Sequence, residues 1–78
     1  MICVYPKRLP GQEVFHNGEP YRVLAVFYTL GKDKEQFHYH QVGMHFSRKP
    51  RFVYRLESTG SGDRTFRDIT ESYLFRKR

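Results

Sequence analysis

The sequence predicts an all-β chain: one small, partly open β-barrel of five to six short strands. Three observations carry this reading. Turn residues recur at short intervals along the 78 positions. The stretches between them are rich in Val, Phe and Tyr, and several alternate apolar with polar. No segment sustains helical periodicity. Evenly spaced short strands with turn signals indicate a barrel or sandwich. At this length a curled sheet is favoured because closing it removes exposed edges. A chain of this size buries only about 60% of the surface its unfolded form exposes. There is room for a single domain over residues 1–78 with one core, and any site is a surface, a groove or an oligomer interface.

Met1 to Tyr5 is an apolar run. Its Cys3 reads as a small buried hydrophobe. A lone cysteine allows no internal disulfide and suits the reducing cytoplasm. Pro6, Pro10 and Gly11 then break the chain. Asn17-Gly18, between Glu13–His16 and Tyr21–Leu30, predicts a hairpin, because both central positions of a type I′ turn need positive φ. Val23 to Tyr28 is apolar on both faces, so this strand is either covered on both sides or curls until its inward face changes. After a polar turn at residues 31–34, Gln36 to Phe46 reads as a strand with broken alternation. Phe37 and Tyr39 share one face, and Val42, Met44 and Phe46 the other, which predicts a bulge over residues 40–43 using Gly43.

Ser47-Arg48-Lys49-Pro50-Arg51 is a basic loop. Phe52, Tyr54 and Leu56 then alternate with Val53, Arg55 and Glu57 as a strand. Residues 59–63 form a turn, and Arg64 to Ile69 a further strand. Thr70-Glu71-Ser72 opens one helical turn, and residues 76–78 are a frayed basic tail.

Pro10-Gly11-Gln12-Glu13-Val14-Phe15-His16-Asn17-Gly18-Glu19-Pro20-Tyr21-Arg22-Val23 resembles the opening hairpin of SH3-like barrels of the KOW and translation-protein type, among them the first domain of elongation factor P. The shared pattern is a strand, a tight turn, then Gly-Glu-Pro-Tyr-Arg-Val entering a long curled strand. The resemblance covers residues 10–30 and implies an SH3-like barrel. The lysine-bearing Pro-Gly-Lys-Gly loop of that family is absent; Leu30-Gly31-Lys32-Asp33-Lys34 sits near its place. The resemblance therefore carries the fold and not the activity.

The formal net charge is +6, from 14 Lys and Arg against 8 Asp and Glu, and nine of the cations are Arg. Arg matches phosphate and stacks on flat rings. With 17% Tyr and Phe, this composition suits a protein that holds a phosphate chain and stacks its bases. The expected function is nucleic-acid binding through a basic and aromatic face. Arg48, Lys49, Arg51, Arg55 and Arg64 would grip the backbone, and Tyr39, His38, His40 and Tyr54 would stack. No RNP1-type motif reads bases, so little sequence specificity is expected, and RNA and DNA are equally open.

The competing expectation is a protein–protein interaction module. Such a module would be an accessory protein of a phage or mobile element, docked on an acidic host protein through the same long-range field. Exposed strand edges would also allow a homodimer by strand pairing.

Other classes are disfavoured. The longest apolar run is too short to span a bilayer, and the N-terminus does not read as a signal peptide. His38 and His40 share a strand face, but a zinc site needs three or four ligands, so neither metal nor cofactor is expected. No nucleophile elbow, phosphate-cradling glycine loop or His-Glu-x-x-His occurs. The carboxylates are scattered among arginines as ion-pair partners, so the chain does not read as an enzyme.

Overall fold

The computed structural model describes residues 2–32, 34–40, 45–60 and 64–76. Its elements are β1 (Ile2–Cys3), β2 (Glu13–His16), β3 (Glu19–Leu30), β4 (Phe37–Tyr39), β5 (His45–Phe46), β6 (Pro50–Ser58), β7 (Phe66–Thr70) and one helical turn, α1 (Glu71–Leu74). Five strands form an antiparallel sheet in the order β2-β3-β6-β7, with β4 also paired to β3, while β1 and β5 pair with each other. β2 and β7 end the order without meeting, so the sheet is open. The chain is all-β, as the turn spacing predicts.

The β2–β3 hairpin closes on the pair His16 and Glu19. Asn17 takes φ 53° and Gly18 φ 78°, the positive pair of a type I′ turn, and Asn and Gly are the residues that enter this region at least cost. Beyond the hairpin, β2 and β4 lie along the same edge of β3, while β6 runs along the other. The β3–β6 register shifts between Val23 and Ala25. Before the shift the core-facing residues are Tyr21 and Val23. After it they are Val26, with Tyr28 and Leu30 packed against the core. An extra residue in one strand reverses which side points inward. That is why Val23 to Tyr28 is apolar on both faces: the strand curls and changes its inward face.

The single strand expected over Gln36 to Phe46 is instead two. β4 adds to β3, and β5 pairs with β1 in the register Ile2–Phe46 and Cys3–His45. Both pieces bury a ring against Phe52: Tyr39 at 5.7 Å and Phe46 at 6.3 Å, each edge-on. The bulge expected with Gly43 falls outside the described residues, as does the side chain of Cys3.

On β6 the alternation is partly kept. Phe52, Tyr54 and Leu56 are buried and Arg51 and Arg55 exposed, but Val53 is buried as well. Fully burying one such apolar side chain contributes roughly 1.5–3 kcal/mol. Thr70 stands at the start of α1, and Leu74 and Phe75 pack against the core, with the Phe75 ring edge-on to Tyr54 at 6.1 Å. The helical turn therefore sits on the core side of the sheet. No helix among the described residues is long and apolar enough to cross a membrane.

Candidate functional site

At the Pro50 end of β6 the fold gathers residues from four parts of the chain. A cleft of about 500 Å³ is lined by Lys7, Gly31, Lys49, Arg51, Glu71 and Phe75, with Pro50 and Phe52 at its base. Register explains the meeting. Leu30 pairs with Pro50 and Thr29 with Arg51, so the turn after β3 lies beside the basic loop before β6. Gly31, at φ 58°, presents no side chain there, and a Cβ on it would lie 3.0 Å from Nη1 of Arg48. The absence of a Cβ gives that guanidinium its room.

The other wall is tied down through a polar node. The buried Tyr54 hydroxyl donates to Oε2 of Glu71 and accepts from the Arg8 N–H at 3.3 Å, and the Lys7 N–H donates to the same carboxylate oxygen at 3.0 Å. Burial, and then the hydrogen bond to Glu71, push the Tyr54 hydroxyl well above its ordinary 10.0, because both disfavour a second negative charge beside the carboxylate. The segment so anchored carries two cations onto one ring: Lys7 Nζ and the Arg8 guanidinium each lie 5.1 Å from the Phe75 centroid. Both anchors on Glu71 are neutral donors. Lys7, Lys49 and Arg51 line the cleft with the carboxylate so held.

The other predicted residues are distributed elsewhere. His38 pairs with Phe27 on the face away from α1, its ring edge-on to Phe27 at 5.2 Å and stacked on His40 at 5.7 Å. Arg55 is on that same outer face, 4.7 Å from the Phe27 centroid and 3.2 Å from Asp68. Arg64 reaches Glu57 at 3.4 Å at the far end of β6. Tyr39 and Tyr54 are 3% and 0% exposed, which corrects their reading as stacking residues: neither ring offers a face to a ligand. The predicted face is thus split. Lys49 and Arg51 line the cleft beside Arg48; His38, His40 and Arg55 gather around Phe27 on the outer face; and Arg64 lies apart. Among the described residues no three of His, Cys, Asp and Glu come together as a metal site.

Sequence reasoning left Lys7, Glu71 and Phe75 out of the site. Lys7 and Glu71 are 64 positions apart, and no local pattern announces their contact. It also left out a second cleft, of about 680 Å³, between the β2–β3 turn and the end of the chain, lined by Phe15, His16, Asn17, Tyr73 and Arg76 among others. His16 is buried there, its ring 5.5 Å from that of Tyr73. The visible signal was the run of aromatics around an Asn-Gly turn, which reads equally as core.

Comparison of the chain with family models, with curated proteins and with solved structures finds no match.

Proposed function

We propose that this chain binds nucleic acid, gripping phosphates at the cleft formed by Lys7, Lys49 and Arg51, with little sequence specificity. The observation that carries the reading is that these three cationic residues line one concavity, beside Glu71, whose carboxylate accepts from the Lys7 N–H and the Tyr54 hydroxyl. Phosphate contacts of this kind position a strand without reading its bases. The net charge of +6 supplies the long-range attraction. The resemblance of Pro10–Val23 to the opening hairpin of translation-type barrels is in keeping with it, and a single cysteine suits a reducing compartment such as the cytoplasm. The role is binding and not catalysis.

The test is fluorescence anisotropy with a labelled single strand and a labelled duplex, titrated across salt. The expected result is binding that weakens steeply as salt rises, with log K linear in log salt. Absence of binding by either ligand in low salt discards the reading. In that case the same cations are left to dock an acidic protein, and a stoichiometric, nuclease-resistant partner in a pull-down identifies that function.

A further inference from the structure

We infer that the second cleft is a base-stacking pocket and that the ligand is a single strand, its phosphates at the Lys49–Arg51 cleft and one base on the Tyr73 ring. This rests on the nucleic-acid reading and narrows it. The argument begins with α1 and the residues just after it. Glu71, Ser72 and Phe75 line the cationic cleft, and Tyr73, Leu74 and Arg76 line the other. The two concavities therefore lie on either side of one helical turn, which is roughly 10–12 Å across with its side chains. A few nucleotides of extended strand cover that distance.

Tyr73 has the properties of a stacking platform. It is 54% exposed and lines the cleft, and the ring of the buried His16 lies 5.5 Å from its own at an interplanar angle of 53°. Its backbone is fixed by the bonds that end the helical turn, Phe75 N–H to Glu71 O at 3.0 Å and Arg76 N–H to Tyr73 O at 3.4 Å. Arg76 places a cation on the same rim, where the phosphate next to a stacked base would fall. At the hairpin tip opposite, a Cβ built on Gly18 would touch nothing within 4 Å. The volume of about 680 Å³ falls in the range of roughly 300–1,000 Å³ typical of ligand clefts. A base in a duplex is stacked on its neighbours and must be extruded at a cost of a few kcal/mol to present its face. The pocket therefore discriminates strandedness, whereas the cationic cleft does not.

The experiment compares the full chain with Tyr73→Ala and Tyr73→Phe. The ligands are a labelled oligo-dT or oligo-U of about twelve nucleotides and a duplex of the same length, at about 50 mM salt. The inference predicts tighter binding of the single strand than of the duplex. Tyr73→Ala should lose about ten-fold for the single strand, with the duplex affinity and the salt slope unchanged, and Tyr73→Phe should keep the wild-type affinity. Thermal unfolding of the Tyr73→Ala chain checks that it remains folded, and Arg76→Gln, which leaves the ring in place, should weaken single-strand binding if Tyr73→Ala does not fold. Overturning results are a Tyr73→Ala loss within two-fold, or the same loss for both ligands. Either leaves the phosphate cleft standing. Failure of both ligands to bind in low salt defeats the nucleic-acid reading as well.

Discussion

The two ends of β6 carry similar charge in the sequence and opposite arrangements in space. At the Arg55–Glu57 end two cations meet carboxylates: Arg55 lies 3.2 Å from Asp68 and Arg64 lies 3.4 Å from Glu57. At the Pro50–Phe52 end Lys49 and Arg51 open onto a cleft with Lys7, and the carboxylate there is anchored by a tyrosine hydroxyl and a backbone N–H. Among the described residues, Arg55 and Arg64 thus sit in local ion pairs, while Lys7, Lys49 and Arg51 line a cleft. Exposed ion pairs contribute about 0–1 kcal/mol to stability. On the proposed reading, Arg55 and Arg64 contribute less to gripping a phosphate than Lys49 and Arg51, which the sequence sets beside them.

The largest expected effect breaks the open end. Lys49→Glu with Arg51→Glu should reduce oligonucleotide affinity about 100-fold or more, since hydrogen bonds to charged groups are worth about 1.5–3 kcal/mol each. Anisotropy at fixed salt measures this.

Next in size is the node that builds the cleft wall. Tyr54→Phe removes a buried hydroxyl that serves Glu71 and Arg8 and should lower stability by about 1–2 kcal/mol, seen as a drop in Tm of about 5 °C or more. The same variant sets a pH expectation. In the folded chain Tyr54 holds its proton above the ordinary 10.0, whereas the unfolded chain releases it there. The stability contribution is therefore complete below pH 10 and is lost as pH rises above it. Melting curves of the wild type should fall more steeply above pH 10 than those of Tyr54→Phe.

A smaller effect sharpens the sign of the cleft. Glu71→Gln removes its carboxylate charge and should raise oligonucleotide affinity a few-fold, while lowering Tm through the weakened links to Lys7 and Tyr54.

Much of the fold was legible in the sequence because its signals are local. Asn17-Gly18 predicts the turn, the two-faced apolar run allows either cover on both sides or the curl that β3 shows, and Thr70-Glu71 predicts the helical turn. The period-two pattern of β6 already put Tyr54 on the face of Phe52 and Leu56. The basic loop before it suggests a stacking role, but the ring is buried, and burial is tolerated because the hydroxyl has a partner 17 residues later. The split of the Gln36–Phe46 stretch was not legible, since it depends on β5 pairing with β1 at the other end of the chain. The cleft was half legible for the same reason. Lys49 and Arg51 are two positions apart in sequence, whereas Lys7, Glu71 and Phe75 join them only through tertiary packing. The histidines show the converse. His38 and His40 do share a face, but it is the face away from α1, and strand alternation alone does not say which side holds the cleft.

The division between paired and open cations is tested most directly by the salt dependence of single-strand binding in two double variants. Each phosphate contact contributes about 0.7 to the slope of log K against log salt for a single strand. Lys49→Gln with Arg51→Gln should therefore flatten the slope by about 1.4, while Arg55→Gln with Arg64→Gln should leave both slope and affinity close to wild type. Equal flattening in the two variants, or a larger change in the second, would contradict the account.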